Sequence, residues 1–392
     1  MRRGDETAVR VLADAAKRGL GDAAGLPEVP DEFRPAPPGE APKLTPADAR
    51  VAFDPYVPFL ENRKWWKVGL DPTKTDKLPR EVASVVTGCL AARAAGSPQG
   101  EKLLAMAKEA GGYLLWTQER GGRGVFPFPA YLGGGNRALD VGARFLRRAE
   151  QAGQLEKVVN NGWAVDDLGD GGLQFDNALC GVAILELHAA TGDAKYLAAA
   201  RSAADWAASR PPCPNWNYNS FGVYLLARAH QATGEAKYLD AAKRLARLGV
   251  YPGQLTDGPR AGRWADPHNA RPAYHYIIIR GIAALRAALP AGDPDAKPAT
   301  ACLRLALAAR NGDFAAKGVI NADSAMEALL AVEALPPAAR AELADTGIES
   351  ALDVLERYAA AGYRQRRPAF APGVWGQYLK HVSERPATRP AR

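Results

Sequence analysis

Apolar residues recur at helical spacing along most of the chain from about residue 79 onward. They return every three or four positions within a segment, and Gly, Pro, Asn or Asp separates one segment from the next. Runs rich in Val, Ile and Thr, which strands favour, are scarce. The pattern predicts an all-α fold of helix hairpins, with helices at 79–95, 99–117, 137–150, 174–190, 194–208, 218–232, 236–248, 271–288, 298–310, 322–334 and 337–360.

An internal repeat supports the hairpins. Residues 187–197 match residues 229–239, and both copies contain A-T-G-[D/E]-A-K-Y-L. The offset of 42 residues between the two starting positions is the length of one helix hairpin. We expect Gly192 and Gly234 to end the outgoing helices in the left-handed conformation. The carboxylate that follows each glycine would lie at the N-terminus of the returning helix.

Two-helix repeats of this length build either an open solenoid or a closed α/α toroid. Tight A-T-G turns stand at some hairpin ends, whereas the alternate ends carry long loops with aromatic, Gly and Asn residues. Short turns on one face and long loops around a cleft on the other are typical of a toroid. We therefore predict an α/α-toroid domain over 61–365, an irregular proline-rich N-terminal arm over 1–60 and a basic C-terminal tail over 366–392.

Charge and hydropathy narrow the possible partners. Lys and Arg number 50 against 43 Asp and Glu, for a net charge of +7. The positive residues are spread along the chain without an aromatic-interleaved basic stripe, so no nucleic-acid partner is predicted. No run of apolar residues is long enough to span a membrane. The first residues lack an apolar signal-peptide core, so export would require a start further upstream.

Cysteine spacing gives no sign of a structural zinc site. Cys89, Cys180 and Cys302 fall inside apolar helical patterns and are predicted to lie in the core. No pair of cysteines has C-x-x-C spacing. The spacing leaves open whether any two cysteines form a disulfide.

The long loops carry the candidate chemistry, at 120–135, 160–172, 211–219 and 251–271. Aromatic faces and planar amides hold sugar rings, and arginine forks pair with uronate carboxylates. The predicted partner is therefore a carbohydrate polymer or an oligosaccharide. The alternative is that these loops are packed caps over the helices. The candidate binding residues are Trp163, Trp216, Asn217, Tyr218, Arg260, Arg263, Trp264 and His268.

The most polar and aromatic stretch of the chain is residues 264–276. Arg271 and His275 are four apart and would share a helix face. On that face Tyr274 or His275 would serve as general base or acid, with Arg271 neutralising a carboxylate. The alternative is that His275 is a hydrogen-bonded core histidine. Asp266 is the fourth catalytic candidate, as one carboxylate of a glycosidase pair.

An acidic cluster in the second loop has several interpretations. Asp166, Asp167 and Asp170 are interspersed with glycines and could bind calcium, although the EF-hand spacing is absent. Asp166 or Asp167 could instead pair with Asp257 or Asp266 as the two carboxylates of a glycosidase. The remaining interpretation is a solvated loop. The chain contains no P-loop, no G-x-S-x-G and no H-E-x-x-H motif.

Two patches resemble the α/α-toroid pectate lyases of polysaccharide lyase family 10. Residues 113–118, followed by Gly121-Gly122 and residues 126–129, are similar to that family's Y-L-L-x-x-Q…G-G-W-P segment, although its tryptophan is missing here. Residues 175–178 are similar to the family's F-N-D-x-A helix start. The resemblance implies a toroid that cleaves a polyuronate by β-elimination with calcium.

Three functions follow from these observations. The first is a carbohydrate-active enzyme that acts on an acidic polysaccharide, as a lyase that cleaves by β-elimination. The second is a glycoside hydrolase on the same fold, and the third is a non-catalytic toroid scaffold that binds a glycan or a protein. Clustering of Trp216, Asn217, Arg271 and His275 in one cleft would favour an enzyme, and scattering of them would favour a scaffold.

Overall fold

The structure is a computed structural model that describes residues 31–35, 42–62, 79–121, 124–126, 151, 171–213, 215–265 and 269–385. The described residues form α-helices separated by turns and loops. The helices are α1 (Pro46–Val51), α2 (Tyr56–Asn62), α3 (Pro79–Ala94), α4 (Gly100–Gly121), α5 (Gly171–Thr191), α6 (Ala194–Ser209), α7 (Trp216–Thr233), α8 (Ala236–Gly249), α9 (Pro272–Ala288), α10 (Ala296–Lys317), α11 (Ala322–Glu333), α12 (Pro337–Ala341), α13 (Ile348–Arg364) and α14 (Pro372–Ser383).

The all-α class predicted from the sequence is confirmed. Within the described ranges there is no strand, and extended pairing is limited to isolated bridges between Arg34 and Val319 and between Gln254 and Trp264. The helix predicted at 337–360 is instead divided into α12 and α13. Gly347, with φ of 75°, stands directly before α13 in the left-handed conformation. The helix predicted at 137–150 lies outside the described residues.

The helices form two layers that differ in burial. Helix α7 is buried on nearly every side, whereas α8 buries one face that includes Tyr238, Leu239 and Leu245. A helix that is buried all round must have neighbours on every side, whereas a one-sided helix borders solvent. Helix α7 is therefore an inner helix and α8 an outer one.

The inner helices contact one another in a cyclic order. Helix α3 packs on α5, α5 on α7, α7 on α9, α9 on α11, α11 on α14, and α14 returns to α3. We call these six helices the cyclic series. Helices α4, α6, α8 and α10 each pack on the member of the series that precedes them in the chain, and α13 contacts both α10 and α11.

Glycine allows the last member of the series to approach the first. A Cβ atom on Gly88 of α3 would lie 2.3 Å from the carbonyl oxygen of Pro372 in α14. A Cβ atom on Gly376 of α14 would lie 2.4 Å from the carbonyl oxygen of Gly88. Because real Cβ atoms do not come this close to backbone, only glycine permits this spacing of the two helices.

The repeated turns are built from the same hydrogen bonds. His188 and His230 each place Nδ1 beside a carbonyl oxygen five residues later, at 3.0 and 3.1 Å. Gly192 and Gly234 have φ of 69° and 72°, so both glycines adopt the predicted left-handed conformation. One difference is that the Asp193 side chain caps the following helix through the Lys195 amide, whereas the equivalent Glu235 makes no such bond.

Described residues in the regions predicted as an N-terminal arm and a C-terminal tail contribute to the core. Phe53, Val57 and Leu60 in the region predicted as an irregular arm are buried. Trp375 and Tyr378, in the region predicted as a basic tail, are buried on α14, and the Trp375 indole donates to the Ala52 carbonyl at 3.0 Å. The local pattern missed α14 because its neighbours are far away in sequence.

Two further expectations concern the cysteines and membranes. Cys89, Cys180 and Cys302 are buried as predicted, and all four cysteines, including Cys213, are free thiols. Across the described ranges, none of the helices combines the length and the apolar character that crossing a membrane requires.

Candidate functional site

A cavity of about 810 Å³ opens where α9 and α11 begin, on the side of the long loops. Helix α9 starts at Pro272, a residue suited to the first helical turn because its missing N–H needs no partner there. Arg271 precedes it with extended backbone, and Tyr274 lies in the first turn. Both side chains line the cavity, so two of the four predicted catalytic residues share one site.

Residues 31–34 form another part of the cavity wall. Arg34 and Val319 pair through two backbone hydrogen bonds, each of 2.8 Å. The Arg310 guanidinium forms an ion pair with Asp31 and also donates to the Ala270 carbonyl next to Arg271. These contacts hold the segment against the start of α9, and they place Arg34 in the cavity wall.

The carboxyl group of Asp323 also lines the cavity. Asp323 lies in the first turn of α11 and accepts a hydrogen bond of 2.8 Å from the Ala371 amide. Burial raises the pKa of the Asp323 carboxyl above its usual value, and the amide bond opposes this only in part. The cavity is therefore lined by two guanidinium groups, the phenols of Tyr274 and Tyr358, and three carboxyl groups. The carboxyl groups belong to Asp31, Glu32 and Asp323, and that of Asp323 holds its proton more firmly than usual.

His275 lies away from this cavity, in the core. Its ring is fully buried, its Nε2 lies 2.8 Å from the Ala306 carbonyl, and its centroid is 5.3 Å from that of Trp264. Burial, with smaller effects from the charges of Arg310 and Arg263, lowers the pKa of His275 to about 3. These contacts fit the alternative of a core histidine.

The expected shared face of Arg271 and His275 does not form. Arg271 is exposed and stands before the first helical residue with ψ of 139°, so the four-residue helical spacing does not apply to it. His275 is one turn inside α9 and points into the core. The two side chains are therefore not partners in one cleft.

Four predicted sugar-binding residues are also buried: Trp216, Asn217, Tyr218 and Trp264. The Asn217 side-chain amide donates to the Asn269 side chain at 2.9 Å, which joins two of the long loops. The Trp264 indole donates to the Val250 carbonyl at 3.0 Å. The polar groups of Asn217 and Trp264 therefore bind other parts of the protein, which fits the alternative of packed caps.

The remaining candidates are spread over the loop or lie outside the described residues. Arg260 donates to the carbonyls of Trp264 and Ala265, so it braces its own loop. The Arg263 carbonyl accepts from the Leu255 amide within that loop. Within the described ranges, no three potential metal ligands cluster. Six predicted residues lie outside those ranges: Trp163, Asp166, Asp167, Asp170, Asp266 and His268.

Residues of the two lyase-like patches act as packing partners here. The Gln118 side chain donates to the carbonyls of Gly124 and Ala199, at 2.9 and 2.8 Å. Asn177 accepts from the Phe126 amide at 3.1 Å and donates to the Ala203 carbonyl. These bonds connect α4, α5 and α6, so both patches fix neighbouring hairpins.

Sequence reasoning missed Arg34 and Asp323. Arg34 sits in a proline-rich segment without helical pattern, and Asp323 resembles any acidic residue in a first helical turn. Both reach the cavity through contacts with distant parts of the chain, to Val319 and Ala371. No local signal marks them.

Comparison of the chain with known protein families, proteins and structures finds no relative. No protein family matches the chain, and neither a curated protein nor a solved structure shows significant similarity to it. The site is therefore interpreted from its own geometry.

Proposed function

We propose that the cyclic series forms the inner wall of an α/α toroid. Two observations support the proposal: each inner helix contacts the next, and the sixth contacts the first. The outer helices each pack beside an inner one, as hairpins around a closed inner wall would require. On this fold, the cavity at α9 and α11 belongs to the face with the long loops.

On this fold, we propose a lyase that acts on an acidic polysaccharide. The observation that carries the proposal is that Arg271 and Tyr274 line one cavity together with Arg34. Arginine forks bind carboxylates through two parallel hydrogen bonds, which suits the uronate groups of such a polymer. A phenol beside them can exchange a proton with the sugar.

The reaction is β-elimination. Arg271 and Arg34 bind the uronate carboxylate, which lowers the pKa of the neighbouring C5–H bond because the developing negative charge is neutralised. The deprotonated phenol of Tyr274 takes the C5 proton, the electron pair forms the C4–C5 double bond, and the C4–O bond breaks. The departing oxygen takes a proton from the Asp323 carboxyl, whose pKa is raised.

Calcium stays part of the proposal through the resemblance to the pectate lyases. Its candidate ligands Asp166, Asp167 and Asp170 lie outside the described residues. Bound there, the ion would help to neutralise the acidic polymer, and no step above is routed through it.

Incubation of the full chain with a panel of polyuronates, with calcium and with a chelator, tests the lyase. The product carries a double bond conjugated to the carboxylate, so ultraviolet absorbance should rise with time. We expect Arg271→Ala to lower kcat/KM by about 100-fold or more and Tyr274→Phe by a similar factor. Arg201→Ala, which removes an exposed guanidinium on α6, is the matched control and should leave the rate unchanged.

A non-catalytic glycan-binding or protein-binding scaffold is the second candidate. The burial of Trp216, Asn217 and His275, away from Arg271, favours it, because these residues do not form the cleft that an enzyme would share. Flat absorbance on every polyuronate, with no release of reducing sugar, would replace the lyase by this scaffold.

A further inference from the structure

A second cavity lies at the other ends of α9 and α11. It has a volume of about 1160 Å³ and is lined mainly by residues of α5, α7, α9, α11, α12, α13 and α14, with Lys43 and Arg385. Each of these helices contributes at least one charged side chain, among them Glu186, Arg228, Arg280, Glu327 and Lys380. Sequence reasoning assigned no role to any of them.

Two of the lining carboxylates belong to helices that are not neighbours in the cyclic series. Glu186 lies on α5 and Glu327 on α11. In the cyclic contact order two helices separate α5 from α11 in either direction, so these helices stand on opposite sides. Burial raises the pKa of Glu327, Arg280 opposes this, and the charges of Asp323 and, least of all, Glu186 add to the rise. Glu186 therefore lies close enough to Glu327 for a weak interaction.

Each carboxylate already has a cationic neighbour. Arg280 Nη1 lies 2.5 Å from Glu327 Oε2, and Arg228 Nη2 lies 3.7 Å from Glu186 Oε1. The Arg280 guanidinium also lies over the Tyr224 ring, 4.7 Å from its centroid. These contacts fix the orientation of the polar groups before any ligand arrives.

The paired groups keep part of their surface open to the cavity. The side chains of Glu186 and Glu327 are 22% and 23% exposed. A carboxylate can accept several hydrogen bonds and a guanidinium can donate five, so each pair keeps hydrogen-bonding capacity that its partner does not use. An ion would have to displace an existing partner, whereas a hydroxyl group can accept from an arginine and donate to a glutamate without breaking the pair.

We propose that this cavity binds a neutral saccharide. Ligands with many hydroxyl groups match facing donors and acceptors, whereas an apolar ligand would strip water from ionised groups without replacing their hydrogen bonds. The volume of about 1160 Å³ is slightly above the roughly 300–1,000 Å³ typical of ligand pockets, which leaves room for more than one sugar ring. The inference uses residues separate from the Arg271 cavity and stands without the lyase.

Titration calorimetry of the full chain with neutral disaccharides and trisaccharides of glucose, xylose, mannose and galactose tests this site. We expect at least one of them to bind with a Kd below about 1 mM. Glu186→Gln keeps the shape of the side chain but removes its charge, and Tyr224→Phe removes one hydroxyl. Either variant should weaken that binding by about tenfold or more, as expected for a lost hydrogen bond to a charged or buried group.

Two controls locate the ligand. Arg271→Ala alters the other cavity and should bind the same saccharide as tightly as the unmodified chain. If Glu186→Gln fails to fold by circular dichroism, Arg228→Gln, at a more exposed position of the same cavity, replaces it. The proposal is overturned if no neutral saccharide binds, or if Arg271→Ala abolishes binding while the Glu186, Tyr224 and Arg228 variants retain it.

Discussion

Burial sets the protonation state of individual side chains in this protein, and His275 is the strongest example. Its ring lies between Trp264 and Tyr276 in the core, with centroid distances of 5.3 and 5.7 Å. A charged imidazolium there would lose its hydration and face Arg310 and Arg263, so the pKa falls to about 3. His275 is consequently neutral over the pH range in which most enzymes work.

The direction in which stability changes with pH follows from the protonation of His275 in the folded and the unfolded chain. As the pH falls, the histidine of the unfolded chain, with a pKa near 6.5, takes up its proton before the folded one does. The stabilisation that the neutral His275 gives the folded state is therefore complete above about pH 6.5 and is lost as the pH falls toward about 3. Between about pH 7.5 and pH 5 the natural chain should lose about 2 kcal/mol more unfolding free energy than His275→Gln. Urea denaturation at both pH values measures the difference. Equal losses in the two proteins would contradict a neutral, buried His275.

Helix elements were predictable where the local pattern and the packing agree. The A-T-G turns after α5 and α7 could be predicted because glycine readily adopts the left-handed conformation that ends a helix, as Gly192 and Gly234 do here. The buried polar loop residues could not be assigned, because the partner of Asn217 is Asn269, which lies 52 residues away. A polar side chain satisfied inside the protein and one that binds a sugar look the same in sequence.

The glycine contact between α3 and α14 gives a prediction at the level of these elements. Gly88→Ala should lower the free energy of unfolding by about 1–3 kcal/mol, since its Cβ would overlap the Pro372 backbone, which cannot turn aside as a side chain can. Gly112→Ala on α4 is the matched control, because a Cβ there meets nothing within 4 Å. That control should stabilise the protein by about 0.5–1 kcal/mol, since alanine favours helix. Urea denaturation measures both variants, and equal changes would show that α3 and α14 are not in this close contact.

On the scale of the whole molecule, α9 and α11 each carry charged groups that line two separate cavities. Arg271 and Asp323 lie at the N-terminal ends, and Arg280 and Glu327 lie further along the same helices. The Arg280–Glu327 pair joins α9 to α11 and lines the second cavity. Two polar sites supported by one pair of helices can be altered separately, which is why Arg271 and Glu186 variants distinguish the two proposals.

The position of α14 gives the last prediction, because it completes the cyclic series. Truncation after Arg364 removes α14, so α3 and α11 lose a neighbour and the side chains that Trp375, Tyr378 and Leu379 cover become exposed. We expect the truncated chain to lose cooperative thermal unfolding and to bind a hydrophobic dye, as loosely packed helical proteins do. Trp375→Ala in the full chain should keep a cooperative transition at a lower Tm, with about 3–5 kcal/mol less stability, because it removes one buried side chain and keeps the helix. If the truncated chain instead unfolds cooperatively at the Tm of the full chain, residues beyond 365 would be the tail that the sequence pattern predicts, and the cyclic packing of the inner helices would not be needed for folding.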